Sequence, residues 1–401
     1  AATANTHGTV VLNGDNTITF TPDADFNGSA SFEYTVTDDG TTAGVLDAKS
    51  TTGIVNLTVG EVNDSPTAVD DTQTAAEDMP LVFSAADLVA NDSAGPANES
   101  SQTLTVTSVT ATADTHGTVA LNGDGTITFT PDADYIGIAS FDYTVSDNGT
   151  SGGSADYLTD VGSVTITVTE VNDAPTTTAD TQSTVEETPL TFTAADLVTN
   201  DSPGPADESA QTLTVTAVSA TADTHGTVVL NGDGTITFTP AADFNGTASF
   251  EYTVTDNGTT NAVLDPQSST GTVNVTVSEV NDAPVTVDDI KVTAEDTALT
   301  FTATDLVIND SAGPANESGQ TLTVTSVTAT ANTHGTVVLN GDGTITFTPD
   351  ADFNGTASFD YTVTDNGTTG GVADQLSDTG TVTITVTEVN DVPISTADTK
   401  S

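Results

Sequence analysis

The chain has 401 residues, of which 58 are Asp or Glu and only three are Lys or Arg, so its formal net charge is −55 at pH 7. Binding to nucleic acid or to an anionic membrane surface requires clustered Lys and Arg, so this charge excludes both as partners and favours cations. The chain contains no Cys, which excludes disulfides and thiolate metal sites as the source of its stability.

The sequence repeats itself with a period of 109 residues. The motif Thr-His-Gly-Thr-Val starts once in each copy, at Thr6, Thr115, Thr224 and Thr333. The acidic run Glu-Val-Asn-Asp keeps the same register and starts at Glu61, Glu170, Glu279 and Glu388. A period of this length predicts whole domains in tandem. A repeated module is usually selected for reach, number or stiffness, so the function is expected at the junctions between copies.

Within residues 67–175, short runs of apolar residues alternate with Thr or Ser, in chain order at 104–109, 126–130, 140–145 and 164–168. Alternation with a period of two predicts strands that bury one face. The sequence Asn-Gly-Asp-Gly at 122–125 tolerates positive φ angles and predicts a tight hairpin. Residues 84–89 are too few for more than one helical turn. About seven strands over roughly a hundred residues predict an all-β, immunoglobulin-like two-sheet sandwich.

A proline follows each acidic run, at Pro66, Pro175, Pro284 and Pro393. Its fixed φ and missing N–H suit the end of one sheet and the start of the next. The predicted segments are a partial sandwich at 1–66, complete repeats at 67–175, 176–284 and 285–393, and a tail or the start of another repeat at 394–401. The linkers are very short, so we expect neighbouring domains to be joined end to end with restricted geometry.

The acidic linker predicts a calcium site. Glu170, Asn172 and Asp173 lie within four residues, so alternate side chains and backbone carbonyls could face one point. Calcium takes six to eight oxygens at ~2.3–2.6 Å, so these residues cannot complete its shell alone. Carboxylates about 4 Å apart repel by roughly 1 kcal/mol in water and up to ~4 kcal/mol at an intermediate dielectric, so a divalent ion should stiffen the joint. The same residue types recur at Glu61, Asn63, Asp64, Glu279, Asn281, Asp282, Glu388, Asn390 and Asp391.

The order of motifs resembles the bacterial cadherin-like, tandem-95 type repeats. These motifs are Asn-Asp-x-Pro, Glu-Asp-x-Pro-Leu, Leu-Val-x-Asn-Asp, Leu-Thr-Val-Thr, His-Gly-Thr-Val-x-Leu-Asn-Gly-Asp-Gly-Thr-Ile-Thr-Phe-Thr-Pro and Phe-Asn-Gly-x-x-Ser-Phe-x-Tyr-Thr-Val-Thr-Asp-Asn-Gly. The resemblance covers essentially the whole chain. Such repeats are found in giant calcium-dependent adhesins exported by type I secretion, where they resemble extender segments between an anchor and terminal ligand-binding domains.

The resemblance also implies further calcium ligands. By similarity to cadherins, the preceding domain adds a Glu from its first strand, at Glu77, Glu186 and Glu295. The following domain adds an Asp from the end of a late strand, at Asp38, Asp147, Asp256 and Asp365. Many such repeats carry alternating aspartates in the loop that corresponds to 91–99, and this chain has fewer carboxylates there, which leaves an ion inside that loop doubtful.

Several of these patterns have plainer interpretations. The acidic linker could be a solvated polar loop. The sequence Asp132-Ala-Asp134 is interpreted as turn chemistry rather than a metal site, because the third repeat has Ala241 at the first of these positions. Each histidine precedes Gly-Thr-Val at a predicted strand entrance without a second His nearby, so a structural or solvent-facing role is favoured for His7, His116, His225 and His334.

The leading hypothesis is a non-enzymatic extender of a large bacterial surface adhesin, which calcium makes rigid and which keeps a binding tip away from the cell. The alternatives are a module that binds glycans or neighbouring cells directly, and a subunit of an extracellular filament that self-associates through edge strands. We expect an extracellular location at the cell surface or in secreted form. No stretch approaches 18 apolar residues, and export signals are expected outside this fragment.

Overall fold

The computed structural model describes residues 1–393 and 395–397, so the prediction for 394–401 lies largely outside the described residues. The chain divides into two compact units. The first comprises Ala1–Asp173 together with Pro205–Glu208 and Gly258–Asp265. The second comprises Ala174–Gly204, Ser209–Asn257 and the chain from Pro266 onward.

The partial first copy forms two small antiparallel sheets and a short ribbon. Its strands are β1 (Gly8–Leu12), β2 (Ile18–Pro22), β3 (Gly28–Thr37), β4 (Thr41–Thr42), β5 (Val45–Leu46) and β6 (Ser50–Val59). Strand β1 pairs with β2, β3 pairs with β6, and β4 pairs with β5.

The second copy contains seven sheet strands, a two-strand ribbon and two short helices. These are β7 (Asp71–Ala76), β8 (Leu81–Ser84), α1 (Ala85–Leu88), a 3-10 helix (Ala97–Glu99), β9 (Thr105–Ala111), β10 (Gly117–Leu121), β11 (Thr126–Pro131), β12 (Gly137–Ser146), β13 (Thr150–Ser151), β14 (Ser154–Ala155) and β15 (Thr159–Thr169). One sheet has the order β7-β15-β12-β9, with β7 parallel to β15, and the other has the order β8-β11-β10.

The third copy repeats this plan. Its elements are β16 (Asp180–Val185), β17 (Leu190–Thr193), α2 (Ala194–Leu197), a 3-10 helix (Ala206–Glu208), β18 (Thr214–Ala220), β19 (Gly226–Leu230), β20 (Thr235–Pro240), β21 (Gly246–Thr255), β22 (Thr259–Thr260), β23 (Val263–Leu264) and β24 (Ser268–Ser278).

The fourth copy repeats the plan again. Its elements are β25 (Asp289–Ala294), β26 (Leu299–Thr302), α3 (Thr304–Val307), a 3-10 helix (Ala315–Glu317), β27 (Thr323–Ala329), β28 (Gly335–Leu339), β29 (Thr344–Pro349), β30 (Gly355–Thr364), β31 (Thr368–Thr369), β32 (Val372–Ala373) and β33 (Ser377–Thr387). The sheet orders of the third and fourth copies match those of the second copy. They are β16-β24-β21-β18 with β17-β20-β19 in the third copy, and β25-β33-β30-β27 with β26-β29-β28 in the fourth.

The core of each complete copy lies between its two sheets. In the second copy the inward residues of β11, β12 and β15 are almost fully buried, while their neighbours along each strand are half-buried or exposed. These inward residues are Ile127, Phe129, Ala139, Phe141, Tyr143, Val145, Val164, Ile166 and Val168. The all-β sandwich predicted from period-two alternation is therefore confirmed.

Local predictions hold as well. The hairpin between β10 and β11 closes with the Gly125 N–H donating to the Asn122 carbonyl at 3.1 Å, and Gly125 has φ of 85°. The Asp124 carboxylate accepts from both the backbone N–H and the hydroxyl of Thr126, which stabilises the turn. The helix at Ala85–Leu88 is four residues long, about one turn, as expected.

A buried tyrosine in each complete copy lies directly against a glycine of the neighbouring strand. In the third copy, a Cβ added to Gly271 would lie 2.3 Å from Cζ of Tyr252. The two residues face each other in the register between β21 and β24. Glycine is therefore needed here for space.

We predict that Gly271→Ala destabilises the third repeat, because the added methyl group overlaps the Tyr252 ring and forces it out of its packed position. Overpacking of this kind costs ~1–3 kcal/mol, which chemical denaturation can measure. The matched control is Gly232→Ala, since a Cβ at Gly232 meets no atom within 4 Å. Equal stabilities for the two variants would contradict this account of the packing.

Candidate cation site at the repeat junctions

The glutamate at the end of the first strand of each complete copy reaches the linker that follows that copy. The Val171 N–H donates to Oε1 of Glu77 at 2.7 Å, and Glu77 is 1% exposed. Val280 donates to Glu186 at 2.5 Å and Val389 to Glu295 at 2.6 Å. The second oxygen of Glu77, Oε2, is buried without a hydrogen-bond partner. The structure thus brings this predicted residue to the linker with one carboxylate oxygen unpaired.

A second buried glutamate approaches the linker from the copy that follows. It lies at the end of the 3-10 helix, where Glu99 is 1% exposed and accepts from the Asp64 N–H at 2.8 Å. Glu317 accepts from the Asp282 N–H at 2.7 Å in the same way. In both glutamates Oε2 is buried without a hydrogen-bond partner. Within the first unit, Glu208 accepts from the Asp173 N–H at 2.6 Å.

These second glutamates were missed by the sequence analysis, which counted carboxylates inside the loop at 91–99. The loop contributes to the junction through one residue. It delivers a single carboxylate from its last turn to the linker. The signal available in the sequence was the recurrence of Glu-Ser at this position, at Glu99, Glu208 and Glu317.

Three carboxylates converge at each junction that follows a complete copy. One comes from the turn after the first strand, one from the turn before the long strand that corresponds to β12, and one from the linker. In each triad, one ligand oxygen per residue lies within 4.8 Å of the others. The triads are Asp78 with Asp134 and Asp173, Glu187 with Asp243 and Asp282, and Asp296 with Asp352 and Asp391.

The turn that carries Asp134 is held in place by stacking and hydrogen bonds. The Asp132 N–H donates to the His116 carbonyl at 2.9 Å, and the Tyr135 ring stacks on the His116 ring with centroids 4.3 Å apart. Asp134 itself has φ of 55°. Corresponding rings stack 4.3–4.4 Å apart in the pairs His7–Phe26, His225–Phe244 and His334–Phe353. The histidines are exposed and stack on these rings, which agrees with the structural or solvent-facing role predicted for them.

The interpretation of Asp132-Ala-Asp134 as turn chemistry alone was incomplete. The backbone does turn at Asp134, but its carboxylate also belongs to the triad. The third repeat loses only the first acid, at Ala241, and keeps Asp243, which is the residue that joins the triad. Asp78, Glu187 and Asp296 were also missed, because each directly follows a glutamate that the family resemblance already assigned.

The linker asparagine and the late-strand aspartate hydrogen bond to each other. Nδ2 of Asn63 donates to Oδ2 of Asp147 at 3.1 Å, and Oδ1 of Asn63 accepts from Gln102 at 2.7 Å. Oδ1 of Asp147 accepts from the N–H groups of Gly149 and Leu158. The same arrangement recurs for Asn281 with Asp365 and Gln320.

These polar atoms are already hydrogen bonded. The hydrogen bonds of Asn63 and Asn281 with Asp147 and Asp365 hold the linker in position. Their role as calcium ligands stays a prediction. A side chain at Gly149 would collide with Asn63, since a Cβ there would lie 1.7 Å from its Oδ1. At the corresponding positions of the third copy, the Asn172 amide donates to the Asp265 carbonyl at 2.8 Å, and Asp256 accepts from the Gln267 N–H at 3.0 Å.

The other residues predicted as calcium ligands differ in exposure. Glu61 is half-buried and accepts from the Thr150 hydroxyl at 3.1 Å, and Glu170 and Glu279 are also half-buried. Asp38 is exposed and accepts from the Lys49 N–H at 2.8 Å. At the last linker, Glu388, Asn390 and Asp391 are exposed.

The electrostatics at the junctions are unfavourable without a counter-ion. Burial raises the pKa of Glu77, and the charges of Asp207, Asp78 and Asp173 raise it further, although the hydrogen bond from Val171 opposes them. Burial also raises the pKa of other junction acids, namely Glu99, Asp173, Glu186, Glu187 and Glu317. Among the described residues the one ion pair is Lys49 with Asp47, and neither residue is one of these junction acids.

The donor set fits a hard cation. Every candidate ligand atom is an oxygen, as calcium prefers. Buried carboxylate oxygens lack a hydrogen-bond partner, namely Glu77 Oε2, Glu99 Oε2, Asp282 Oδ2 and Glu317 Oε2. An unpaired buried acceptor is costly, so these atoms are suited to metal coordination.

A family model for the cadherin-like domain matches four stretches of the chain, at residues 1–55, 62–167, 171–277 and 280–387. The chain belongs to the cadherin-like domain family. The resemblance predicted from the motifs is thereby confirmed. Tandem repeats of this family are typical of extracellular adhesion or extender regions. No curated protein matches the chain.

Solved cadherin structures resemble this cadherin-like chain at low sequence identity. Mouse clustered PcdhgC3 EC1-3 is 15% identical over 70% of this chain and 88% of its own, with a TM-score of 0.31. The human Desmocollin-1 ectodomain is 16% identical over 90% and 68%, with a TM-score of 0.27. Human Protocadherin-24 EC1-2 is 16% identical over 53% and 98%, with a TM-score of 0.31. Among the described residues, every helix is too short or too polar to cross a membrane.

We predict that the metal-free chain becomes less stable as the pH rises above the ordinary glutamate range. The folded-state pKa values of Glu77 and Glu186 are raised above 4.5, so their protonation favours the folded state. This contribution is full below the unfolded value and is lost as the pH rises through the folded values. Thermal unfolding in a chelator between pH about 5 and 8 measures it.

The control is the double variant Glu77→Gln and Glu186→Gln, which keeps a neutral side chain at both positions at every pH and should reduce this dependence by the share of these two residues. A melting temperature that rises with pH in the chelator, in the unsubstituted chain, would contradict the assignment.

Proposed function

We propose that this chain is the extender region of a large bacterial surface adhesin, at the cell surface or in secreted form. Calcium bound at the repeat junctions makes the region stiff, so that it holds a ligand-binding tip away from the cell for adhesion or biofilm formation. The observation that carries this proposal is the recurrence of one acidic triad at three successive linkers. The domain boundaries proposed for the repeats are Pro66, Pro175, Pro284 and Pro393.

Within the first unit, the proposed ligands at one junction come from three segments. Glu77, Asp78 and Asp134 lie on turns and strand ends, Glu170 and Asp173 lie on the linker, and Glu208 lies on the loop Pro205–Glu208. A calcium ion would supply the positive charge that the side chains at this junction lack. By binding oxygens from all three segments, it would fix the linker relative to the turns that flank it.

The repeated geometry favours a structural role over a catalytic one. Each junction uses the same residue types in the same register, whereas catalysis requires only one site. Direct glycan recognition would require exposed aromatic platforms, and the chain has six Tyr and no Trp. We therefore propose that the region is not an enzyme and that binding of glycans or cells takes place elsewhere in the parent protein.

We predict that millimolar calcium raises the melting temperature and increases the maximum dimension in small-angle scattering, because the ion removes carboxylate repulsion and restricts the linkers. Replacing Glu170 and Asp173 with Ala should loosen one joint and shorten the scattering dimension in calcium. Far-UV circular dichroism should stay unchanged, because neither residue lies in a sandwich core.

The matched control replaces Glu33 and Glu251, two exposed strand acids, with Ala, which removes the same charge away from the linkers. It should keep the full response to calcium. If a chelator leaves both melting temperature and dimension of the unsubstituted chain unchanged, the proposal of an ion-stiffened region fails.

A further inference from the structure

A tyrosine hydroxyl inside the second copy is surrounded by hydrogen-bond acceptors. Tyr143 is fully buried, and its hydroxyl oxygen lies 3.1 Å from the Val69 carbonyl oxygen and 3.5 Å from that of Leu88. It also lies 3.1 and 3.3 Å from the two carboxylate oxygens of Asp92. A phenol carries one hydrogen, so it can satisfy only one of these acceptors well.

A second carboxylate completes the cluster. Asp71, at the start of β7, accepts from Nδ2 of Asn91 at 3.3 Å through Oδ1, and its Oδ2 is buried without a hydrogen-bond partner. The corresponding Oδ2 atoms of Asp180 and Asp289 are likewise buried and unpartnered. Asp289 as a whole is only 9% exposed. Each complete copy therefore buries an unpaired carboxylate oxygen at this place.

The nearby donors do not balance these acceptors. The Val69 N–H donates to Oδ1 of Asp92 at 2.8 Å, and the Asn91 amide donates to the Val69 carbonyl and to Asp71. Two carboxylates remain next to one hydroxyl hydrogen. Burial raises the pKa of Asp71, a hydrogen bond with the Tyr143 hydroxyl opposes this rise, and the charge of Asp92 adds to it.

The position of the hydroxyl is fixed by the fold. A Cβ at Gly162, on the strand beside Tyr143, would lie 2.5 Å from Cζ of the ring and 2.6 Å from its hydroxyl oxygen. Tyr361 lies against Gly380 in the same way, and its hydroxyl is 3.2 Å from the Val287 carbonyl and 3.3 Å from Asp310. Tyr252 is 2.9 and 3.1 Å from the Asp201 carboxylate oxygens.

We propose that each complete repeat binds a hard, oxygen-liganded cation of the calcium class inside its sandwich, between the two aspartates and the tyrosine. The ligands in the second copy are Asp71, Asp92 and Tyr143, with the carbonyls of Val69 and Leu88. Two oxygens ~2.4 Å from one ion and about 80–90° apart lie ~3.1–3.4 Å from each other, which matches the contacts of the Tyr143 hydroxyl with Val69 and Asp92. This site shares no residue with the junction ligands, so it stands or falls independently of the proposed function.

The fourth copy differs from the others at one neighbouring position. Lys291 replaces Gln73 and Gln182, and its charge acts on Asp289. The ammonium group competes with a bound cation, so this copy should bind most weakly. The change Lys291→Gln should strengthen binding there to the level of the other two copies.

Terbium luminescence tests the site, because terbium replaces calcium and its emission is sensitised by a nearby tyrosine. The chain has no Trp, so emission excited in the aromatic region arises through tyrosine. The experiment uses the full chain with Tyr135→Phe, which removes the tyrosine next to Asp134 and matches Phe244 and Phe353 in the other copies. We expect strong emission that excess calcium quenches.

The triple variant Asp71→Asn, Asp180→Asn and Asp289→Asn should lose most of this emission. The matched junction variant Asp78→Asn, Glu187→Gln and Asp296→Asn should keep it. If the triple variant does not fold, the single change Asp180→Asn carries the test, and a loss of about one third of the emission is expected when terbium saturates all three sites. The proposal would be overturned if the Tyr135→Phe chain shows no terbium emission, or if the emission survives in a folded aspartate variant. A proton shared between the two carboxylates would then be the charge that compensates them.

Discussion

The structure depends on one constraint: carboxylates are buried beside the linkers in a chain that supplies almost no positive charge. Glu77 and Glu99 are each 1% exposed and each keeps one oxygen without a hydrogen-bond partner. Burying an unpaired charge is costly in a protein of ordinary composition. This free-energy cost is repeated at successive junctions. A bound external cation would offset it by supplying the missing positive charge.

The sandwich fold creates this arrangement from residues that are distant in sequence. Strand β7 ends beside the linker because it runs parallel to β15, the last strand of its own copy. That pairing brings the turn at Asp78 to the same end of the sandwich as Asp173. The turn at Asp134 precedes β12, which pairs antiparallel with β15 and so also begins at that end. Sheet topology therefore explains the triad.

The sequence predicted the fold well, because period-two alternation and the Asn-Gly-Asp-Gly hairpin are local signals. The linker acids and, through the family resemblance, Glu77 stay predictions as calcium ligands, although the structure does place Glu77 against the linker. Asp78, Asp134 and Glu99 could not be found in this way, because their contacts with the linker arise only once the strands are paired. Ala241 was misleading for a related reason: sequence alone does not show which of two nearby acids in a turn faces the linker.

The most direct test of the central claim is an anomalous difference map from crystals of the full chain grown with calcium. The account predicts a peak within coordination distance, ~2.3–2.6 Å, of carboxylate oxygens of Asp78, Asp134 and Asp173, and equivalent peaks beside Asp282 and Asp391. A map with no peak at these positions, and with the three carboxylates of each triad turned apart into solvent, would contradict it.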